Sequence, residues 1–170
     1  MKSIALFALL LVPSADRHDR AVDALVKGSA AIAGENSESL AAAGRSLRAS
    51  GARPVDGADL AQQWTTGSDA RPLRGRALGS AYRRATLEGG SRIAVEQIFL
   101  AGKKARVSLV PARPSRLRFS ISNGSNDPLC EHPVEAAPVS CSWLPTWTER
   151  YRIEIENRSA EPVPLYLVID

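Results

Sequence analysis

Residues 115–122 read SRLRFSIS, and the alternation within them decides the fold class. Leu117, Phe119 and Ile121 fall on one side of an extended chain and Arg116, Arg118, Ser120 and Ser122 on the other, because successive side chains of a strand point to opposite faces. The same period of two returns where Ala105, Val107 and Leu109 alternate with Lys104, Arg106 and Ser108. It returns again where Tyr151, Ile153 and Ile155 alternate with Arg150, Arg152, Glu154 and Glu156. The last run, Val163 to Ile169, is apolar on both faces apart from Pro164, as in a strand central in its sheet or covered on its second face. Tyr82 to Leu87 and Ile93 to Leu100 are less regular strand candidates. Turn chemistry separates these runs at Gly89-Gly90, Ala101-Gly102-Lys103, Pro111 to Pro114, Asn123 to Pro128 and Asn157 to Pro162. Short strands at this spacing predict a mainly β protein, an antiparallel β-sandwich of the jelly-roll or Ig-like kind over residues 77–170.

Residues 16–76 have a different texture, predicting a short α-helical segment and linker ahead of the sandwich. Val22, Leu25, Val26, Ser29, Ile32 and Ala33 form a narrow stripe at helical spacing, with Gly34 as a stop and Asn36 or Ser37 as the next cap. A second helix carries Leu40, Ala43, Gly44 and Leu47 on one side and ends at Gly51. A third is expected from Asp56, with Asp59 in its first turn and Leu60, Ala61 and Trp64 presented inward. Helices this small and alanine-rich bury little alone, so they are expected to dock on the sandwich with Trp64 as anchor.

The run CSWLPTWTERYRIEIENRSAEPVPLYLVID, Cys141 to Asp170, resembles the end of the bacterial pre-peptidase C-terminal domain, a β-sandwich. The matching positions are Pro145, Thr148, Tyr151, Ile153, Ile155, Asn157, Tyr166 and Leu167. Leu87-Glu88-Gly89-Gly90 and Phe99-Leu100-Ala101-Gly102 are similar to that family's early strand and turn signals, so the likeness extends over about residues 78–170. It implies a sandwich and carries no catalytic residue. Many members place aspartates near the central strand, where they hold calcium; here that strand is SRLRFSIS, and no metal site is carried over.

Residues 1–15 read as a secretory signal peptide: Met1-Lys2, the apolar run Ile4 to Val12, then Pro13-Ser14-Ala15, with cleavage expected after Ser14 or Ala15. The apolar run is far shorter than the roughly 20 residues of a bilayer-crossing helix, so no membrane span is expected. No cysteine follows it closely enough for lipid attachment. The expected location is periplasmic or secreted. In an oxidising space Cys130 and Cys141 are expected to form a structural disulfide, which the chain-entropy model values at about 3 kcal/mol. Two cysteines with His18 and His132 make a poor zinc set.

Of 170 residues, 22 are Lys or Arg and 18 Asp or Glu, for a net charge of +4. The basic excess is concentrated between Arg45 and Arg118, where it can attract anions. Most of these side chains are single arginines at solvent-facing strand positions, and export disfavours nucleic acid as a partner. Gly-x-Ser-x-Gly, Ser-x-x-Lys and His-Glu-x-x-His are absent from the sequence. His18 is expected in a frayed new N-terminus and His132 in a surface loop. Glu131, Glu135, Glu149, Glu154 and Glu156 are the carboxylates that can converge for glycoside cleavage, although Glu154 and Glu156 read as a solvated strand surface between arginines. The Asn123–Asp127 turn lacks the carboxylate pattern of a calcium loop. Asn123-Gly124-Ser125 and Asn157-Arg158-Ser159 match the glycosylation acceptor pattern.

Trp143, Trp147 and Tyr151 are the candidate binding residues. Buried, they pack over the Cys130–Cys141 bridge and close the sandwich; exposed, the indoles stack on a sugar or a peptide. Together these features predict an exported, non-enzymatic sandwich, without cofactor, that binds or supports an envelope protein or polysaccharide. A carbohydrate- or envelope-polymer-binding module using exposed tryptophans is the second reading, and a hydrolase with an unrecognised site the third.

Overall fold

The computed structural model describes residues 16–66 and 80–170. The expected signal peptide and the boundary expected at residues 76 and 77 lie outside them. Among the described residues three helices and nine strands follow in this order: α1 (Arg17–Ala33), α2 (Ser37–Ser50), β1 (Arg53–Pro54), α3 (Leu60–Trp64), β2 (Ala81–Leu87), β3 (Arg92–Phe99), β4 (Ala105–Pro111), β5 (Leu117–Ser122), β6 (Pro128–Val134), β7 (Val139–Trp143), β8 (Glu149–Asn157) and β9 (Val163–Ile169). One sheet has the order β1-β2-β9-β4-β7 and the other β3-β8-β5-β6. All pairs are antiparallel except the short β1 against β2. Of the successive connections from β2 onward, only β5–β6 stays within a sheet; the others cross between the layers, which is the jelly-roll form of a sandwich.

The alternation read in the sequence builds the space between the sheets. Val107 and Leu109 of β4 and Val163, Leu165 and Leu167 of β9 face Leu117, Phe119 and Ile121 of β5 and Tyr151, Ile153 and Ile155 of β8 in one buried cluster. The other side of β9 is buried too. Tyr166 and Val168 join Tyr82 and Val110 beneath the helices, in a second cluster with Ala21, Ala24, Leu25, Ala43, Leu47 and Trp64. The molecule is thus helices on sheet on sheet, and β9 is both central and covered twice.

Local capping sets the helix ends. Asp16, Asn36 and Asp59 each accept a backbone N–H of the first turn, at 2.8 Å, 2.8 Å and 2.9 Å. Asp59 therefore caps α3, and the helix starts at Leu60, later than expected from Asp56, which pairs with Arg83 instead. The stripe expected on α1 is rotated. Val26 and Ile32 are exposed, while Ala21, Ala24, Leu25, Gly28 and Ser29 face inward. Small residues win because they let the helices approach: a Cβ on Gly28 would fall 2.4 Å from the Trp64 ring, and one on Gly44 would fall 2.9 Å from the Trp64 Cβ. Trp64 reaches on to Tyr166 of β9, edge to face, with ring centroids 6.4 Å apart.

His18 departs most from expectation. It is 1% exposed, in the first turn of α1 against β4, where helix docking has removed it from water. His132 lies in β6, half-buried, and not in a loop, because the edge strand extends from Pro128 to Val134. Cys130 and Cys141 are bridged, joining β6 at the edge of one sheet to β7 at the edge of the other. No helix among the described residues is long and apolar enough to cross a membrane.

Candidate functional site

The crossing connections β3–β4 and β7–β8 meet at one end of the sandwich. They are tied together: Gly102 N donates to Pro145 O at 2.9 Å, and Ala101 N donates to Thr148 Oγ1 at 3.0 Å. Gly102 has a positive φ of 68°, the left-handed turn conformation that glycine adopts without strain.

Beneath these loops three rings close the space between the sheets. Phe99 ends β3, Trp143 ends β7 and Tyr151 stands near the start of β8. Their centroids are 4.9 Å (Phe99–Trp143), 5.6 Å (Phe99–Tyr151) and 5.2 Å (Trp143–Tyr151) apart. Tyr151 is buried, and burial pushes its phenol above the ordinary range, so it stays neutral. Trp143 is half-buried, and its indole nitrogen is enclosed with no hydrogen-bond partner among the described residues. These two members of the expected trio act as packing groups.

Trp147 is placed otherwise. It is 73% exposed in the β7–β8 connection, where Leu144 is 66% exposed; Leu100 of the β3–β4 connection, at 57%, and Ile98 near the end of β3, at 53%, are exposed at the same end of the sandwich. The aromatic group read as one cluster is divided by the loop into an inner plug and an outer apolar surface. Sequence reading missed Ile98, Leu100 and Leu144. The available signal was Ile98-Phe99-Leu100, three apolar residues in succession where the alternation of β3 ends, so that Ile98 and Leu100 face away from the side on which Phe99 is buried. Lys103 and Lys104 follow in the same loop, both exposed.

The remaining candidates are engaged elsewhere. On the outer face of the β3-β8-β5-β6 sheet, Arg118 meets Glu131 at 2.7 Å, Arg150 meets Glu96 at 3.0 Å, and Arg92 meets Glu154 at 3.2 Å and Glu156 at 3.5 Å. Hydrogen bonding from Arg118 holds the Glu131 carboxyl below its ordinary value, and Arg158 does the same to Glu156. Such carboxylates are ionised and tied to cations, unlike a general acid, whose proton must be retained near neutral pH. Among the described residues, Arg92, Arg113 and Arg118 of the basic stretch thus pair with glutamates of the acidic one.

His18 faces two serines: Nε2 is 2.6 Å from Ser108 Oγ, and Nδ1 is 3.5 Å from Ser80 Oγ. Asn123 folds its side chain into its own turn, accepting from the backbone of Ser125 and Asp127. Asn157 is fully buried, its amide directed at backbone carbonyls, so this acceptor match is a structural crosslink. Among the described residues, no three His, Cys, Asp or Glu side chains are grouped to hold a metal.

No family model matches the sequence, and no curated protein matches it. Among solved structures, the chain is similar to the pre-peptidase C-terminal domain of collagenase from Bacillus anthracis, with 9% identity and a TM-score of 0.47 over 52% of this chain and 87% of that one. It is similar to PliG of Aeromonas hydrophila, a periplasmic inhibitor of g-type lysozyme, with 18% identity and a TM-score of 0.40 over 70% of this chain and 94% of that one. A CBM4 structure matches at 11% identity and a TM-score of 0.33, over 51% of this chain and 78% of that one. The pre-peptidase C-terminal domain, which the sequence resembles, is thus among the solved structures to which the chain is similar.

Proposed function

We propose that the protein is an exported, non-enzymatic module that binds a component of the cell envelope through the end of the sandwich bearing Trp147. One observation carries the reading: a tryptophan 73% exposed, with Leu144 exposed in its own loop and Leu100 in the loop hydrogen-bonded to it, above a packed aromatic plug. An indole held in water by rigid supports loses little conformational entropy when a ligand covers it. Export is supported by the signal-like residues 1–15 and by the Cys130–Cys141 bridge, which suits an oxidising compartment. A non-enzymatic role is supported by the glutamates Glu131, Glu154 and Glu156, which are ion-paired, and by His18, which is sealed between α1 and β4.

The test is retention on isolated envelope fractions, membranes and cell-wall polymer separately, comparing the exported, oxidised protein with Trp147→Ala. The expected result is retention that falls at least tenfold in the variant while its circular dichroism is unchanged. Equal retention of the two proteins, or turnover of an envelope substrate by either, overturns the proposal. Trp147-dependent retention on the polymer, with none on membranes, favours the polysaccharide reading of the same surface.

A further inference from the structure

We infer that the open edge of β3 pairs with β3 of a second copy of this chain, antiparallel and centred on Ala94, so that two sandwiches share one sheet. Among the described residues the two sheets end in β1, β7, β3 and β6, and three of these edges are blunted. β6 carries Pro128 and Pro133, and β7 is five residues long and bridged to β6 through Cys130–Cys141. β1 is two residues ending in Pro54, and beyond it β2 is open only from Arg84 to Thr86. Prolines and short strands are what keep such edges from adding another chain. β3 has neither. It runs eight residues without proline or glycine, and among the described residues it pairs with β8 alone.

The direction of each backbone group on that edge follows from one bond. Ser91 O accepts from Asn157 N at 2.9 Å, so Ser91 and every second residue after it, Ile93, Val95 and Gln97, turn their backbone groups to β8. Arg92, Ala94 and Glu96 turn theirs outward. The open run is limited at both ends: Ser91 N donates to Glu88 O at 3.0 Å in the preceding turn, and the Gln97 amide donates to Ile98 O at 3.2 Å. What is left is centred on Ala94.

A two-fold register about that centre is self-complementary. It sets Arg92 opposite Glu96 of the second copy, and Glu96 opposite Arg92 of the second copy, with the outward backbone groups of each pair bonded. Centring on Ile93 or Val95 takes each charge away from its opposite, and centring on Arg92 or Glu96 sets like charges together. Both side chains are available, Arg92 at 54% and Glu96 at 53% exposure. Within its own sheet Arg92 meets Glu154 and Glu156, and Glu96 meets Arg150, so the alternation of sign continues across the junction. On the inner face Ile93 falls opposite Val95 of the second copy. Both are half-buried at the margin of the cluster between the sheets, and the pairing covers them. A peptide of one charge would oppose one of Arg92 and Glu96 and repel the other; the chain's own β3 satisfies both. Antiparallel pairing also directs the two Trp147 ends oppositely, so a dimer would link two ligands; that consequence rests on the binding reading above, and the pairing does not.

The test is sedimentation equilibrium of the exported, oxidised protein over a concentration series, with circular dichroism as the check on the fold of each variant. Expected is a monomer–dimer equilibrium. Glu96→Arg alone sets arginine against Arg92, and Arg92→Glu alone sets glutamate against Glu96, so each should weaken the dimer at least tenfold. An equimolar mixture of the two variants restores both opposite pairs and should recover the dimer as a heterodimer. Ala94→Pro removes the central outward N–H, leaves the β8 ladder its bonds, and should give a monomer. A parent that stays monomeric throughout the series overturns the inference, as does a dimer that the single charge variants leave as strong as the parent's. So does a mixture that remains monomeric while both variants are folded, or a dimer that Trp147→Ser dissolves, which would place the contact at the Trp147 end. None of these outcomes depends on ligand retention, so the Trp147 reading and the dimer fail separately.

Discussion

His18 in α1 and Ser108 in β4, ninety positions apart, share a hydrogen bond of 2.6 Å that is buried where the first helix meets the sheet. Ser108 continues the chain to Ser140 of β7, also at 2.6 Å. A polar line therefore crosses from the helix to the sheet edge through the second apolar cluster, with its polar atoms satisfied in sequence.

This placement makes stability depend on acidity. Burial lowers the affinity of His18 for a proton, and Arg106 lowers it further, against the opposing pull of Asp170, Asp16 and Asp19. The folded state then binds fewer protons than the unfolded state below the ordinary value of 6.5, so stability falls as pH decreases through and below that value. Above it the imidazole is neutral in both states and this dependence vanishes. The urea midpoint of the parent should drop between about pH 7 and pH 5 more steeply than that of His18→Gln. Parallel curves for the two proteins would show that the buried imidazole is not responsible.

Asn157 joins two turns at the opposite end from Trp147. Its Nδ2 donates to Leu87 O at 2.9 Å, Glu88 O at 3.2 Å and Glu161 O at 2.8 Å, and its Oδ1 accepts from Ser159 N at 3.0 Å. Alanine there leaves buried carbonyls without a donor, at a cost of about 2–4 kcal/mol. Asn157→Asp is expected to be no milder, because it turns a carboxylate toward carbonyl oxygens. Equilibrium unfolding measures both, and a change within about 0.5 kcal/mol, as at an ordinary surface site, would refute the crosslink.

Gly28 sets helix propensity against packing. Alanine gains about 1 kcal/mol as a helix former, whereas its Cβ, 2.4 Å from the Trp64 ring, overpacks a contact at about 1–3 kcal/mol. Packing should win, because Trp64 is itself lodged against Tyr166 and has little room to retreat. Gly28→Ala is expected to be destabilised by up to about 2 kcal/mol. Combining it with Trp64→Leu should cost less than the sum of the two single changes, since the shortened side chain vacates the clash.

How much of this was written in the chain differs by element. Leu117-x-Phe119-x-Ile121 and Val163 to Ile169 carry periodicity strong enough to give both the sandwich and the second covered face of β9. Strands β6 and β7 escaped the same reading. PLCEHPV begins with one proline and contains a second, and VSCSW is only five residues long. Both lie at sheet edges, where a missing N–H is tolerated on the open side and a disulfide fastens the two strands. On α1 the larger side chains misled, since alanine and glycine offer no hydropathy contrast yet permit the closest approach. Of the candidate site, the sequence held the three aromatic identities but not their division. Which of Trp143 and Trp147 faces inward depends on the five-residue loop between β7 and β8, fixed by long-range bonds to Gly102 and Ala101 that no local pattern records.

That division predicts opposite consequences for two tryptophans only four positions apart. Trp143 contacts Phe99 and Tyr151 within the plug, so Trp143→Ala opens a gap beneath the loops and should cost about 3 kcal/mol, the lower end of the range for large aromatic deletions because the ring is half-buried. Trp147 is largely in water already, and Trp147→Ala should change stability by no more than about 0.5 kcal/mol. Fluorescence separates them independently. Trp64 is buried and Trp143 half-buried, so the emission most accessible to acrylamide should belong to Trp147 and disappear with it. If the unfolding free energies of the two variants fell together, or quenching persisted without Trp147, the loop would not divide the aromatic group into plug and surface, and the binding face would lose its central side chain.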